Sequence, residues 1–433
     1  MKKYIYILAI FILASCNNEK VAIYFTLEKA AKYFNEIETI CNKDNGRLWG
    51  KNLYGPLMFV DRPTRKIFAN QPDKNGILKE KNGVYVGDYP KEFVIQNQAQ
   101  LFGGTLFGVV PLPVQEDNYR IKTRAIRSFY HCFQKAAGLS PNIYNTRYMD
   151  DKNARLWLKL EWRALKKAIN NEGELRLQAL RDALIFKGAR RELYPTYVYD
   201  ENKFEDFEGL ATFTAFTLCE DTAGKTKRKL IEYLDRTYTY QSYGRNYGFI
   251  HGALYAFLAN EQGFDFKTIH SDTTDLGSIV KTLYKIQLPQ ICRDVAGSLA
   301  LNYDIESIYK EEDQRLANIK QSRHDALSVF TEKPIVYLEL ESPYFDFEPE
   351  DIRALDTLGT IYTTMRVSDN WGKLTVDKGG CLVSSNLKYL RITARNIKES
   401  KNHLSGDGWN LVMNNDWELV KVGQNYFVRK LMP

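Results

Sequence analysis

The sequence predicts an α+β protein: an N-terminal helix and a small antiparallel sheet, then a mainly helical central part and a small C-terminal β domain. Residues 46–115 and 331–433 consist of short alternating runs separated by turn sequences, a pattern typical of strands. Residues 116–330 instead place apolar side chains at helical spacing. We therefore expect one α+β domain over residues 17–330, sheet-rich at 46–115 and helical at 116–330, and a β-rich domain over 331–433.

The chain begins with MKKYIYILAIFILASC, in which Lys2 and Lys3 precede a short apolar run. That run is shorter than the roughly 20 apolar residues that a membrane-spanning helix needs. Small residues follow it directly before Cys16, and the segment resembles a bacterial lipoprotein signal. The resemblance implies that residues 1–16 form a signal peptide ending at an acylated Cys16, which anchors the protein in the membrane. Asn17 resembles an outer-membrane sorting signal, so the expected location is the cell envelope, at the outer membrane. The alternative is a plain secretory peptide.

Composition excludes two kinds of site. The formal net charge is +7, but acidic and basic residues are interspersed, and no basic stripe with aromatic residues indicates a nucleic-acid partner. The remaining cysteines are scattered and form no C-x-x-C pair, so the sequence predicts no thiolate metal site.

The first elements follow from periodicity and turn residues. Residues 20–43 carry apolar side chains such as Phe34 and Ile37 at helical spacing, which predicts an amphipathic helix. Lys-Asn-Gly sequences at 74–76 and 81–83 predict hairpins, since Asn-Gly readily adopts the positive φ of a tight turn.

The central part contains four predicted helices. In residues 149–171, Leu158, Trp162, Leu165 and Ile169 share one helix face, and Glu161 lies at its edge. Three further helices are predicted in residues 175–193, 204–218 and 246–263.

The helix containing RSFYHCFQ raises the question of a metal site. Zinc peptidases often use H-E-x-x-H on a helix, where the histidines are ligands and the glutamate is the general base. Here Arg127 stands at the first ligand position, Ser128 at the base position and His131 at the second ligand position. Arginine keeps its proton and cannot donate a lone pair to zinc, and serine cannot take a proton from water without a base of its own.

Several blocks resemble a family of bacterial proteins related to gluzincin-type metallopeptidases, which have H-E-x-x-H and a later glutamate ligand. The blocks, from about residue 50 to the end, are PLMFVDRPTRKIFANQPDKNG, the His131 helix, ARLWLKLEWRAL, FEGLATFTAF, GALYAFLAN, SDNWGKLTV, CLVSS and SGDGWNL. The resemblance implies a zincin-like central part.

The resemblance also assigns residues to a cleft. His131 matches the second zinc histidine, and Glu208 in Glu-Gly-Leu-Ala matches the third ligand. Glu161 matches a glutamate of a neighbouring helix, whose role is structural, such as orienting a ligand or an arginine. Phe249 lies near the expected position of a tyrosine that hydrogen-bonds an oxyanion.

Because the first ligand, the base and the tyrosine are replaced, the sequence predicts a scaffold that has lost zinc and catalysis, with no cofactor. Arg127 is expected to pair with Glu208 in a cleft that binds a peptide or a glycan. The alternative is an active zinc hydrolase using His131, Glu208 and a further ligand, with Glu161 as candidate. A third reading is an interaction subunit that binds an envelope protein partner and makes no use of the cleft.

Overall fold

The computed structural model describes residues 25–62, 64–112, 118–139, 144–347, 352–354 and 358–431. The predicted signal peptide, with Cys16, lies outside these residues. The chain forms two compact units that divide between Tyr309 and Lys310, earlier than the boundary expected at residue 330. An N-terminal sheet, a helical centre and C-terminal sheets follow one another, which confirms the predicted α+β class.

Helices form most of the first unit. In chain order they are α1 Leu27–Asp44, α2 Asn118–Ala136, α3 Lys152–Asn170, α4 Gly173–Leu193, α5 Val198–Phe204, α6 Leu210–Cys219, α7 Ala223–Tyr238, α8 Tyr247–Glu261, α9 Leu276–Leu283, α10 Arg293–Ala300 and α11 Ile305–Thr331, which continues past the division. The Thr26 hydroxyl accepts a hydrogen bond from the Lys29 amide and caps α1. The predicted apolar face of α1 is correct at Phe34 and Ile37, which are both buried.

The N-terminal sheet has six strands among the described residues, in the order β3-β4-β2-β1-β6-β5. They are β1 Leu57–Asp61, β2 Lys66–Ala69, β3 Lys79–Lys81, β4 Val84–Asp88, β5 Gln98–Phe102 and β6 Thr105–Leu112. The expectation of an antiparallel sheet needs one correction, since β1 and β6 run parallel.

One of the two predicted hairpins is correct. Asn82 and Gly83 have φ angles of 52° and 75° and join the paired strands β3 and β4. The hairpin predicted at 74–76 is wrong, because β4 lies between β2 and β3. The Asp73 carboxylate holds that loop instead, accepting hydrogen bonds from the amides of Leu78 at 2.7 Å and Ile77 at 3.0 Å.

Helix α2 packs closely on β6. The Ser128 side chain is fully buried against Gly108 of this strand, where an added Cβ would lie 2.8 Å from the Cβ of Ser128. Glycine at position 108 therefore lets α2 approach the sheet, and this contact fixes the position of Arg127 and His131.

A π-helical turn, Glu205–Gly209, interrupts the predicted helix 204–218 between α5 and α6. Helix α8 packs tightly on this turn. A Cβ on Gly209 would lie 2.6 Å from the Cα of Gly252, and a Cβ on Gly252 would lie 2.5 Å from the carbonyl oxygen of Glu205. π-Turns inside helices frequently occur at functional sites, and this one carries Glu208.

The second unit contains two antiparallel-rich sheets. Its strands are β7 Ile335–Glu339, β8 Tyr344–Asp346, β9 Ile352–Ala354, β10 Thr360–Tyr362, β11 Met365–Asp369, β12 Gly372–Val376, β13 Cys381–Val383, β14 Tyr389–Thr393, β15 Lys398–Ser400, β16 His403–Gly406, β17 Trp409–Met413, β18 Trp417–Val422 and β19 Asn425–Lys430. Among the described residues the strand orders are β18-β19-β7-β14-β13-β10-β9 and β15-β16-β17-β12-β11-β8. Trp371 and Trp409 are buried in the core of this unit.

In the described part of the chain, no helix combines the length and the apolar character needed to cross a bilayer.

Candidate functional site

Arg127, His131 and Glu208 meet in the first unit. Nη2 of Arg127 donates a hydrogen bond of 2.5 Å to Oε2 of Glu208, and Nε2 of His131 lies 3.5 Å from the same oxygen. The Arg127 and Glu208 side chains retain 19% and 14% of their exposure. The pairing expected between these two residues is therefore present, at a site that solvent reaches only in part.

Aromatic rings surround the ion pair. The Arg127 guanidinium lies over the Phe249 ring, 4.8 Å from its centroid, and the His131 ring lies 4.5 Å from that of Phe207. Phenylalanine at 249 thus supports the arginine as a cation–π partner. Sequence reasoning considered this residue only as the loss of a tyrosine.

The ion pair determines the charge of Glu208. Burial raises the pKa of this carboxyl, but the positive charge of Arg127 outweighs burial and holds the pKa below its ordinary value. Glu208 is therefore an ionised carboxylate at neutral pH, and Arg127 is its counterion.

Gln134 orients the His131 ring. Nε2 of Gln134 donates to the carbonyl oxygens of Asp206 and Phe207 at 3.2 and 3.4 Å, so its Oε1 is free to accept. This oxygen lies 2.9 Å from Nδ1 of His131, which places a hydrogen on Nδ1 and turns Nε2 toward Glu208. Metal-ligating histidines are commonly held in this way. The sequence alone assigned Gln134 no role.

Ser128 does not face the ion pair. Its hydroxyl donates to the carbonyl oxygen of Val109 at 2.8 Å and accepts from Nδ2 of Asn97 at 2.5 Å. The amide of Asn97 also donates to the Arg124 carbonyl at 3.0 Å. Asn97 therefore bridges the sheet and α2 beside the position where a catalytic base would stand. No sequence motif marked it.

Glu161 lies in a second, fully buried cluster. It accepts hydrogen bonds from Nη2 of Arg190 at 3.0 Å and from the hydroxyl of Tyr255 at 2.6 Å. Burial raises the pKa of Glu161, but His251 and Arg190 outweigh it and hold the pKa well below the ordinary value. Glu161 thus binds an arginine, as the resemblance suggested, and its oxygens are engaged away from Arg127, His131 and Glu208.

In this second cluster a histidine lies close to two carboxylates, as in many metal sites, but its ring hydrogen is placed unfavourably for binding a metal. Nε2 of His251 lies 3.2 Å from Oε1 of Glu161 and 3.5 Å from Oε1 of Glu205. Nε1 of Trp162 donates to Nδ1 of His251 at 3.0 Å. Because an indole nitrogen can only donate, the ring hydrogen of His251 is on Nε2, which leaves no lone pair there for a metal.

The residues around His131 do not fit a catalytic zinc ion. Such a site needs three protein ligands. Across the described parts of the chain, no group of three His, Cys, Asp or Glu side chains is arranged to hold a metal ion. His131 and Glu208 supply two ligands at most, and the nearest oxygen of Glu208 is bound by Arg127.

Comparison with known proteins gives no family. The sequence matches no protein-family model and no curated protein, and the fold matches no solved structure at a significant level.

Proposed function

We propose that this protein is a lipid-anchored protein of the cell envelope whose metallopeptidase-like scaffold has lost zinc and catalysis and now binds a ligand in the cleft around Arg127 and Glu208. The observation that carries the proposal is the hydrogen bond from Arg127 to the oxygen of Glu208 that lies nearest to His131. The guanidinium of Arg127 thus lies beside this oxygen, where a metal ion would otherwise bind.

Neither Ser128, at the base position of the motif, nor Glu208 is suited to act as the general base of hydrolysis. A metallopeptidase needs a group that removes a proton from the attacking water. The Ser128 hydroxyl is committed to Val109 and Asn97. The positive charge of Arg127 lowers the pKa of Glu208, so this carboxylate is a poor proton acceptor.

The sheet favours an extended peptide as the ligand over a glycan. Within the described residues β5 pairs only with β6, so no strand pairs with its other edge. A peptide can add to such an edge as a further strand. Asn97, directly before β5, hydrogen-bonds to Ser128 of α2, so the start of this edge lies beside the helix that carries Arg127.

Arg127 has a donor left for that ligand. Among the described residues its Nε has no hydrogen-bond partner. A peptide carbonyl or carboxylate near the guanidinium would satisfy a group whose burial without a partner is unfavourable.

Peptide binding to the full chain tests this proposal. A fluorescently labelled mixture of random-sequence peptides should bind the wild-type protein without being cleaved. Arg127→Gln should weaken binding by about tenfold, the loss of one charged hydrogen bond. The control Arg181→Gln removes an exposed arginine from α4 and should leave binding unchanged. Chelator-sensitive cleavage of the peptides would overturn the proposal, and so would binding of an oligosaccharide mixture without binding of peptides.

The second candidate is an active zinc hydrolase. Two observations favour it: Nε2 of His131 and Oε2 of Glu208 are 3.5 Å apart, and Gln134 holds His131 in the orientation of a ligand. It requires a further ligand and the displacement of Arg127 from Glu208, which zinc titration would reveal.

A further inference from the structure

A pocket of the first unit is lined by neither Arg127, His131 nor Glu208. Its volume is about 390 Å³, a size typical of small-molecule sites. It lies where α1 and α8 end and α7 begins, and the loop Phe264–Asp265–Phe266 forms another wall.

The lining of this pocket is acidic. Among the described residues that line it, the only cationic side chain is Arg47, and the carboxylates are Asp44, Glu220, Asp221 and Asp265. Cations therefore meet a favourable potential there and anions do not.

Two of these carboxylates already have cationic neighbours outside the pocket. Asp221 lies 3.3 Å from Nζ of Lys43 and 3.1 Å from Nζ of Lys225, and Asp265 lies 3.9 Å from Nζ of Lys267. Glu220 forms no ion pair with any residue that the structure describes. The charge available to a ligand is thus concentrated on Glu220 and Asp44.

Asp44 is the carboxylate that gives the strongest evidence for a ligand. Its side chain is only 4% exposed, and its Oδ1 has no hydrogen-bond partner among the described residues. The nearest cation, Nε of Arg47, lies 3.8 Å away on a side chain that is 84% exposed. The hydroxyl of Thr217, in the same lining, is also buried, and no described residue forms a hydrogen bond with it. Buried acceptors normally find a donor, so a donor-bearing ligand is expected here.

The helix ends and the aromatic rings around the pocket also favour a positively charged ligand. The carboxyl ends of α1 and α8 both border the pocket and carry partial negative charge. The amino end of α7 has the opposite sign, but Thr222 caps it through the Lys225 amide. Phe257, Phe264 and Phe266 also line the pocket, and aromatic rings attract cations and pack against apolar carbon.

A metal ion does not suit these residues. Asp44 and its neighbours belong to no group of three ligating side chains within the described residues. The three phenylalanines match an organic cation better, because such a cation brings an apolar skeleton as well as a charge.

We propose that this pocket binds a small organic amine, whose ammonium group donates to Oδ1 of Asp44 while its carbon skeleton packs against the phenylalanine rings. The hydroxyl of Thr217 and the carboxylate of Glu220 are further acceptors for its N–H groups. This proposal is independent of the function of the Arg127–Glu208 cleft, since neither Arg127, His131 nor Glu208 lines this pocket.

Calorimetric titration of the full chain with cadaverine, at neutral pH and low salt, tests the proposal. Saturable binding is expected, while pentanediol, which has the same skeleton with hydroxyls in place of the amines, should bind at least about tenfold more weakly. Asp44→Asn keeps the acceptor for the Leu48 amide and should weaken cadaverine binding by about tenfold or more. Asp294→Asn, an exposed change of equal charge on α10, should leave it unchanged.

Three results would overturn the proposal: no saturable binding of cadaverine, equal binding of pentanediol, or an equal loss in Asp294→Asn. Thr217→Val keeps the shape of the side chain and removes one acceptor. If Asp44→Asn does not fold, Thr217→Val decides the question, because unchanged cadaverine binding in that variant would contradict a ligand held at this wall.

Discussion

Arg127 donates its hydrogen bond to the oxygen of Glu208 that lies 3.5 Å from Nε2 of His131. In a zinc peptidase a metal ion would join these two side chains. Here the charge of Glu208 is balanced by a guanidinium that the chain itself supplies. This ion pair has consequences for the stability of the protein and for metal binding, which can be measured.

A double-mutant cycle measures the strength of this ion pair. Arg127→Met should destabilise the protein by about 1–3 kcal/mol, because it leaves the largely buried Glu208 carboxylate without its counterion. Adding Glu208→Gln should recover part of this loss, with a coupling energy of about 1–2 kcal/mol in urea unfolding. Arg181→Met, on the surface, should change stability by less than about 0.5 kcal/mol. Strictly additive effects of the two cleft variants would contradict the pairing.

Asp206 gives a prediction with a defined pH dependence. Burial raises its pKa well above the ordinary value of 3.8. The unfolded chain therefore loses this proton at a lower pH than the folded protein, so the group lowers stability as the pH rises from about 4 through the raised pKa. Asp206→Asn removes this effect. Its stability relative to wild type should improve with rising pH, by up to about 1.4 kcal/mol per pH unit.

Asp275 is the matched control, because its shift has the opposite sign. Burial raises the pKa of Asp275, but Lys187 and Arg191 outweigh burial and hold the pKa below the ordinary value of 3.8. Its contribution is complete above the unfolded pKa and is lost as the pH falls through the folded one. Asp275→Asn should therefore lose stability relative to wild type above about pH 4. Parallel pH trends for the two variants would contradict this account.

The sequence predicts a structural feature well when neighbouring residues determine it, and poorly when contacts between distant segments determine it. The Asn82-Gly83 hairpin follows from two residues that accept positive φ, and it is correct. The turn at 74–76 has the same letters, but the strands beside it pair elsewhere, which only the whole sheet decides. Sequence periodicity located the helix containing Glu208 but gave no sign of the π-turn that displaces this residue.

The site shows the same division. A motif with known spacing brought Arg127, His131 and Glu208 to attention, and their expected proximity is present in the fold. Asn97 and the orienting role of Gln134 depend on contacts between distant segments, so no local pattern marked them. The family resemblance assigned Glu161 to the cleft. In the structure its charge is instead balanced by Arg190 in the buried cluster.

Arg127→His tests whether the scaffold still supports a metal. The variant offers two histidines and Glu208, the three ligands of a catalytic zinc site, and removes the competing guanidinium. We expect zinc binding at roughly micromolar affinity, about −8 kcal/mol, and its loss when His131→Ala is added. A folded Arg127→His protein that fails to bind zinc at hundreds of micromolar, well above that affinity, would show that this helix has no metal-site geometry.

The structure argues against adding a glutamate at position 128 to that variant. The motif alone would suggest rebuilding the complete H-E-x-x-H sequence. However, Ser128 is fully buried between Gly108 and Asn97. A larger charged side chain there would have to displace Asn97, so Ser128→Glu should destabilise the protein by several kcal/mol, about 3 or more.

The lipid anchor is a separate prediction from residues 1–16. Metabolic labelling with a palmitate analogue should mark the wild-type protein, and Cys16→Ala should abolish the label and release the chain from the membrane fraction. Cys41→Ala is the matched control and should keep the label. Absence of label in the wild type, or label that survives Cys16→Ala, would contradict the anchor.

The zinc content of the purified full chain tests the central claim most directly. Elemental analysis by mass spectrometry, on protein prepared without chelators, should find far less than one zinc ion per chain in the wild type. His131→Ala should leave that content unchanged, because Arg127 and not a metal ion balances Glu208. One zinc ion per chain, lost in His131→Ala, would contradict the account.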